Sequence, residues 1–179
     1  MKIKSTKTIL IINFIIFIVT FGGNFFIEFL GNAWPYTLQS YQYWRLLTCI
    51  FVHFGLSHII CNSISLLQLG ILIESIYGSK KFALIYLICG LGSSFCSAFI
   101  NMIFQRNVIS AGASGAICGL IGLLLSDIKG NKKGKLINII ICIIPIVIIG
   151  FTPGVDNIAH FSGVFIGFLI GRIIHKKRH

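Results

Sequence analysis

The stretch that decides the fold is SAGASGAICGLIGLLLSD, residues 110–127. In it, Ser114 is surrounded by glycine and alanine and stands at the start of an apolar run. A second apolar segment, IAHFSGVFIGFLIG at residues 158–171, carries the imidazole of His160 near its start. Proton-transferring side chains are costly and rare inside a membrane, so their presence there indicates function. The two segments together predict a nucleophile and a base at membrane depth.

The composition of the chain excludes an ordinary soluble domain. Its 179 residues are 56% hydrophobic and 11% charged, and a membrane-spanning helix needs about 20 mainly apolar residues. We predict a single all-α polytopic membrane domain over residues 1–179, with six transmembrane helices. The predicted spans are residues 8–30, 57–77, 82–104, 114–127, 136–151 and 158–174. The first is predicted to be retained, because its apolar run exceeds that of a secretory signal and no small-residue cleavage site follows.

The distribution of positive charge orients these spans. The formal net charge is +11, and with the amino terminus inside, thirteen of the fifteen Lys and Arg residues fall on one side. Only Arg45 and Arg106 fall on the other. The positive-inside rule then predicts that both termini lie in the cytoplasm, and we expect the protein in the cell membrane, with its active site opening to the outside. We expect the basic tail and the loop at residues 129–135 to contact anionic lipid, and we predict no nucleic-acid binding because no basic-aromatic platform accompanies the charge.

The six cysteines favour packing over a metal site or a disulfide framework. Five of them fall within predicted spans, and no Cys-x-x-Cys pair occurs. Cysteine without a partner behaves as a small apolar residue, so we expect these five to pack between helices. The sixth, Cys49, falls in the long segment after the first span.

That long segment, residues 31–56, is the first loop, and the charge asymmetry puts it outside. It is rich in aromatic side chains and contains the pair Trp44 and Arg45. Aromatic rings favour the interface between lipid and water. A loop this long in a compact domain is usually functional or structured in its own right. We therefore predict an interfacial loop with one or two short helices, lying against the outer leaflet.

The length of the fourth span sets the depth of Ser114. A helix from Ser114 to Asp127 covers about 21 Å, whereas the hydrocarbon core is about 30 Å thick. Ser114 is therefore expected about 10 Å below the outer surface, at the end of a non-helical stretch, residues 106–113. Such backbone is tolerated at that depth only beside protein or a water-filled cavity. The sequence predicts a cavity that opens outward, with Ser114 at its floor.

Glycine spacing predicts that the fourth and sixth spans pack closely. Gly163, Gly167 and Gly171 recur every four residues on the sixth span. The fourth span is similarly rich in glycine from Gly115 onward, and Gly112 lies in the loop that enters it. Small residues let helix backbones approach in lipid, which would bring His160 within hydrogen-bond reach of Ser114. Two plainer alternatives stay open. The glycine run is often only a helix crossing, and a buried histidine is often satisfied by a backbone carbonyl.

His58 and Asn62 are the remaining candidates for catalysis. They share one face near the outer end of the second span, four residues apart;. We predict that their side chains form an oxyanion hole together with the backbone N–H of Ser114. Asp156 precedes His160 by only four residues, and no acidic residue is well placed as a third member. We predict a Ser–His dyad without a carboxylate, and we interpret His53 as a structural residue that holds the loop.

These motifs, in this order, resemble those of the rhomboid intramembrane serine proteases over nearly the whole chain. Four matches carry the resemblance: Tyr43-Trp44-Arg45, His58-x-x-x-Asn62, Gly112-Ala113-Ser114-Gly115 and Ala159-His160-x-x-Gly163-x-x-x-Gly167. The resemblance implies hydrolysis of a peptide bond in or near a transmembrane segment of a protein substrate, through an acyl-enzyme on Ser114. It also implies a minimal six-span, rhomboid-like bundle that uses no metal and no cofactor.

Two positions depart from the family pattern. Cys118 stands where the family usually has an aromatic residue that packs against the base, and Ser162 stands where glycine is common. Both predicted catalytic groups are nevertheless present. Two other functions remain as alternatives: a small transporter or channel, and a non-catalytic membrane factor. The first is disfavoured because the polar residues cluster at one depth and do not line a path across the bilayer. The second predicts that Ser114 is dispensable.

Overall fold

A computed structural model describes residues 3–126, Ile137 and residues 155–176 of the chain. In these ranges the regular secondary structure is helical, apart from a single bridge between Asn32 and Ser110. A π-helical turn covers Pro35–Gln39. The α-helices are α1 (Ser5–Thr20), α2 (Asn24–Leu30), α3 (Arg45–Thr48), α4 (Leu56–Tyr77), α5 (Ser79–Ile103), α6 (Ser114–Leu125) and α7 (Asn157–Lys176). The predicted fifth span, residues 136–151 apart from Ile137, and the basic loop at residues 129–135 lie outside this description.

Three helices in the described ranges are long and apolar enough to cross a membrane. They are Leu56–Tyr77, Ser79–Ile103 and Asn157–His175, while α1 and α6 are shorter apolar helices. Large apolar side chains are exposed along these helices, among them Phe14, Leu84 and Phe165. Lipid satisfies such surfaces, and the intrahelical hydrogen bonds satisfy the backbone. The all-helical membrane bundle predicted from the sequence is therefore confirmed at the level of architecture.

The first predicted span, residues 8–30, is divided in the structure. Helix α1 ends at Thr20, and α2 begins only at Asn24. Between them Gly22 has a φ of 81°, a left-handed conformation that glycine adopts without strain and that ends a helix;. The apolar run continues across this break, so its hydropathy alone did not reveal the turn.

Helix α6 lies at the centre of the bundle. Its residues from Gly115 to Leu124 are all buried, as expected of a helix that is apolar on every side and enclosed by other helices. The core around it draws on α4, with Leu66, Leu69 and Ile73, and on α5, with Phe82, Ile85 and Tyr86. Helix α6 is thus held in place by the helices packed around it.

Helices α6 and α7 make the most extensive contact in the described bundle. A β-carbon at Gly163 would overlap the Gly115 carbonyl oxygen, and one at Gly167 would overlap the Gly119 carbonyl oxygen. From the other side, a β-carbon at Gly122 would overlap the backbone of α7. Only glycine permits this separation, and close van der Waals packing is what drives helix association in lipid.

A buried carboxylate, Glu74, fixes the end of the bundle where α1 begins and α4 meets α5. It accepts hydrogen bonds from the backbone N–H groups of Lys4, Ser5 and Thr6 at 2.8–2.9 Å. The hydroxyls of Thr6 and Ser79 also donate to it. The first N–H groups of a helix have no partner within that helix. Glu74 satisfies them for α1 and ties this helix to the junction of α4 and α5.

Arg45 organises the long first loop. Its side chain is only 4% exposed; the guanidinium donates to the carbonyl oxygens of Glu28 and Gly31 and, at 2.6 Å, to the side chain of Gln42. It also lies over the ring of Tyr36, 4.8 Å from the centroid. One buried cation therefore joins the end of α2, the π-helical turn and the start of α3.

Trp44, next to Arg45, has a different environment. Its ring is 46% exposed and lies 6.2 Å from the ring of Phe29. The neighbouring aromatics Phe25 and Phe29 stack at 6.0 Å. An aromatic cluster with exposed faces suits the interface between lipid and water. The loop is thus held internally by Arg45, while Trp44 contributes to its outer surface.

Candidate active site

The Ser114 hydroxyl and the His160 imidazole meet at the N-terminal ends of α6 and α7. Ser114 is the first residue of α6, and His160 lies in the first turn of α7. The distance from His160 Nε2 to Ser114 Oγ is 2.8 Å, within the range of a normal hydrogen bond. The glycine contacts between the two helices make this approach possible. A hydroxyl bonded to an imidazole nitrogen is the arrangement that activates a serine as a nucleophile.

Gly112 shapes the loop that leads into Ser114. Its φ is 123°, which a residue with a side chain rarely adopts;. A β-carbon there would also lie 2.7 Å from Cε1 and Nε2 of His58. Its N–H donates to the carbonyl of Cys49 at 2.8 Å. Glycine is required here both by the backbone conformation and by the histidine ring beside it.

The hydrogen bond to one nitrogen of His58 defines what the other nitrogen can do. The backbone N–H of Phe54 donates to His58 Nδ1 at 3.4 Å, and the Phe54 ring stacks on the imidazole at 5.8 Å. A neutral ring that accepts at Nδ1 carries its proton on Nε2. That N–H edge faces Gly112, two residues before Ser114. His58 is therefore oriented as a donor toward the Ser114 loop.

Asn62 lies one turn further along α4 and is 6% exposed. Its Nδ2 donates to the carbonyl of His58 at 2.9 Å. An amide nitrogen carries two hydrogens, so this bond within α4 uses one and leaves the second. His58 and Asn62 line the same cavity as Ser114.

The N-terminus of α6 supplies further donors. Its N-cap residue, Ala113, makes no side-chain capping bond, and the opening N–H groups of a helix, here from Ser114 onward, have no partner within the helix. These N–H groups and the helix dipole favour negative charge at this point. The arrangement can stabilise an oxyanion that forms next to Ser114 Oγ.

His53 is a buried histidine that contacts the loop leading into Ser114. It is 2% exposed; its Nε2 accepts the N–H of Ala113 at 3.4 Å, and its Nδ1 donates to the carbonyl of Phe51 at 3.2 Å. Burial lowers the pKa of His53 to about 3, so the ring stays neutral and can keep accepting this bond. These contacts fit the structural role predicted for it.

Asp156 is a residue at the site whose importance the sequence analysis missed. Its carboxylate accepts hydrogen bonds from the hydroxyls of Ser97 and Ser110. It also accepts the backbone N–H groups of Ile158 and Ala159 at 3.1 and 3.3 Å. The signal available was its position just before a helix, where aspartate is a preferred N-cap. Its two serine partners lie 59 and 46 residues away, so no local pattern pointed to them.

These groups surround one cavity of about 410 Å³. Its walls come from α4, α5, α6 and α7 and from the loop before Ser114. The polar side chains on the wall are Ser114, His160, His58, Asn62, Ser65, Ser93, Ser94, Ser110 and Asp156. The predicted nucleophile, base and oxyanion donors therefore share one space, whereas Trp44 and Arg45 do not line it.

The cysteines and the other possible metal ligands in the described part of the chain are not clustered. In residues 3–126 and 155–176, no three His, Cys, Asp or Glu side chains gather as metal ligands would. The five cysteines in these ranges are free thiols, and four lie on the helices predicted as spans. Cys118 is buried against Gly163 of α7. Among the residues that the structure describes, no aromatic ring stacks on the His160 imidazole. The orientation of this ring therefore depends on other contacts.

Comparison with known proteins identifies the family. The Rhomboid domain matches residues 40–177. The chain is 39% identical over 140 residues to RHOMBOID-like protein 1 of Arabidopsis thaliana, covering 75% of this chain and 35% of that protein. It is 40% identical over 132 residues to Rhomboid protease GluP of Bacillus subtilis, covering 71% and 25% respectively. It is also 34% identical over 140 residues to Inactive RHOMBOID-like protein 8 of Arabidopsis thaliana, covering 74% and 38%.

The fold and the site define a multi-pass helical membrane protein with a serine and a histidine in hydrogen-bond contact inside a cavity. The chain belongs to the rhomboid family. It spans between about a quarter and two fifths of the length of these three curated relatives.

Proposed function

We propose that this protein is an intramembrane serine endopeptidase that hydrolyses peptide bonds in or near transmembrane segments of membrane proteins. The observation that carries the proposal is the 2.8 Å contact between His160 Nε2 and Ser114 Oγ, within a cavity of about 410 Å³. A relative named as a rhomboid protease, 40% identical over 132 residues, supports it. No metal or cofactor takes part in the chemistry proposed.

The reaction begins with proton transfer from Ser114 to His160. As Oγ attacks the scissile carbonyl carbon, Nε2 of His160 takes the hydroxyl proton and a tetrahedral oxyanion forms. Collapse of this intermediate breaks the C–N bond, and the imidazolium returns the proton to the leaving amine. Water, activated by His160 in turn, hydrolyses the acyl-enzyme on Ser114. The cycle restores both side chains.

Three donors stabilise the oxyanion in this proposal. They are the Nε2–H of His58, the second amide hydrogen of Asn62 and the backbone N–H of Ser114. All three residues line the cavity, and the tautomer of His58 is fixed by the bond from Phe54. Donors arranged before the reaction stabilise charge that develops in the transition state, which is a major source of catalysis.

The proposed topology has six spans, with both termini in the cytoplasm. The short α6 supports a recessed site, because its 12 residues cover about 18 Å of a hydrocarbon core about 30 Å thick;. The cavity then opens to the outside of the cell membrane. A substrate helix would enter from the bilayer and unwind locally at Ser114, since a helical peptide bond is shielded by its own turn.

The test uses a fluorophosphonate on the purified protein in liposomes. We expect labelling on Ser114 that is abolished in Ser114→Ala and lost or nearly lost in His160→Ala. Cleavage of a transmembrane reporter should fall with it, and the double variant should be little worse than either single one, because the two groups act as a unit. Reporter cleavage that persists in Ser114→Ala would refute the dyad.

The second candidate is a non-catalytic membrane factor. It is favoured by the similarity to a relative named as inactive, but this chain retains both Ser114 and His160. In that case neither labelling nor reporter cleavage would occur in the intact protein. A transporter would likewise remain unlabelled, and it would move solute at equal rates with and without Ser114.

A further inference from the structure

Asp156 joins three separate segments of the chain at the outer end of the bundle. Its Oδ2 accepts the hydroxyls of Ser97, on α5, and Ser110, in the loop before α6. Its Oδ1 accepts the N–H groups of Ile158 and Ala159, which open α7. The two serine hydroxyls also lie 3.2 Å from each other. One carboxylate thus holds a helix, a loop and a second helix together.

The segments that Asp156 joins are those that carry the site. Ser110 is four residues before Ser114, and its backbone pairs with Asn32 of the first loop at 2.7 and 2.8 Å. His160 follows Asp156 by about one helical turn. Movement of Asp156 would therefore change the position of the nucleophile loop and of the base together.

The pairing of α6 and α7 creates a need for such a tie. Backbone contacts at Gly163 and Gly167 fix the distance between the two helices. Smooth glycine surfaces resist sliding and rotation less than interlocked side chains do. His160 precedes Gly163, at the outer end of this contact. A hydrogen-bond anchor just beyond that end sets the axial position of α7 where the imidazole has to meet Ser114 Oγ.

The occupancy of the carboxylate defines what Asp156 can do. An ionised carboxylate offers about four acceptor sites on its two oxygens, and four donors already fill them. It is therefore not free to bind a cation on a substrate. No hydrogen bond joins it to the His160 ring in the described structure, so it is not a third member of a triad.

We propose that Asp156 is a positioning residue, which holds Ser114 and His160 in register through Ser97, Ser110 and the first turn of α7. The inference rests on the proposed peptidase function. In reactions of this kind, a displacement of about 1 Å in the reacting groups can cost about 100-fold in rate. Loss of this positioning is therefore expected to slow the chemical step and to leave substrate binding unchanged.

The decisive variant is Asp156→Asn. Asparagine caps helices about as well as aspartate, so its Oδ1 can still accept from Ile158 and Ala159. It loses the charge and the second acceptor oxygen, and with them the charge-assisted bonds from Ser97 and Ser110. The measurement is inactivation by a fluorophosphonate in liposomes, resolved into a maximal rate and a half-saturating concentration. We expect the maximal rate to fall about tenfold, with the half-saturating concentration within about twofold and an unchanged Tm.

A second variant tests the same tie from the other side. Ser97→Ala with Ser110→Ala removes both hydroxyl donors and leaves the Asp156 charge and the helix cap in place. We expect a similar fall in the maximal rate. Adding Asp156→Asn to this pair should produce little further loss, because groups in one network are not additive. This variant decides the matter if Asp156→Asn alone lowers the Tm.

The matched control is Glu28→Gln, which removes an exposed carboxylate from α2; we expect it to behave as the wild type. The wild-type rate in Asp156→Asn and in the serine pair would overturn the proposal. So would a loss explained wholly by lower Tm, or a change in half-saturation alone. If the wild type itself is not labelled on Ser114, the proposed function has failed and this inference with it. If the wild type is labelled on Ser114 and the Asp156 variants are labelled at the same rate, this inference is overturned while the proposed function stands.

Discussion

At the scale of single residues, the candidate site combines one hydrogen-bonded pair, Ser114 and His160, with several groups whose own hydrogen bonds orient them. Ser114 and His160 contact each other directly. His58 is held in one tautomer by the N–H of Phe54, and Asn62 is held by the carbonyl of His58. Buried or half-buried polar groups with defined partners keep a single orientation. The proposed oxyanion donors are thus oriented without a substrate present.

The proposed oxyanion donors carry a prediction about turnover. Removing one such donor typically costs about 10²–10³ in rate. We expect Asn62→Ala and His58→Ala to lower turnover of a transmembrane reporter by about that factor. The Tm should be unchanged, because the fold stays intact and Ser114 is still present. Ser75→Ala is the control, because this exposed serine bonds only within α4, near its opposite end. Wild-type turnover in both variants would mean that the two side chains only pack α4.

At the scale of helices, the contact between α6 and α7 determines whether the pair can form. The carbonyl oxygens of Gly115 and Gly119 occupy the space that side chains at Gly163 and Gly167 would need. In lipid, where apolar burial between helices gives little advantage, such packing contributes much of the association. The interface therefore stabilises the fold and also sets the distance from His160 to Ser114.

This interface predicts a large difference between two glycine substitutions. Gly167→Ser adds a β-carbon that collides with the backbone at Gly119. We expect it to lower stability by about 1–3 kcal/mol, and to lower fluorophosphonate labelling with it. Gly55→Ser adds one in open space, at extended backbone with φ −178°, and serine is a good N-cap for α4. We expect an unchanged or higher Tm for Gly55→Ser. Equal Tm values for the two variants would contradict this view of the interface.

At the scale of the whole molecule, two buried charged side chains hold the periphery to the bundle. Glu74 fixes the start of α1 at one end, and Arg45 fixes the first loop at the other. Each has its charge satisfied by several polar partners, as a buried charge requires. The loop is then connected to the site by the bridge between Asn32 and Ser110.

Arg45 therefore carries a prediction about stability. Arg45→Ala leaves the carbonyl oxygens of Glu28 and Gly31 without this donor, and we expect a loss of about 2 kcal/mol or more. The Tm and the activity should fall together. Arg106→Ala, which removes an exposed arginine, is the control and should change neither. Lower activity at an unchanged Tm would indicate that Arg45 contacts the substrate instead.

The sequence alone indicated much of this molecule because the informative patterns were local or were carried by motifs. Apolar runs predicted membrane helices, since the thickness of the bilayer sets their length. The spacing of Gly163, Gly167 and Gly171 predicted a close helix contact. The order of the four motifs predicted membership of the rhomboid family, and this is confirmed. The sequence did not predict the division of the first span at Gly22, because hydropathy does not report a backbone turn.

The sequence by itself thus determined the class of protein and named the residues of the candidate site. Tertiary structure decided how those groups are held. The bonds from Ser97 and Ser110 to Asp156, and from Ala113 to His53, join residues 46 to 60 positions apart. A carboxylate four residues from His160 looked too close along the chain to assist it. Folding made Asp156 the anchor of three segments, because hydrogen-bond partners are chosen by proximity in space, which separation along the chain does not encode.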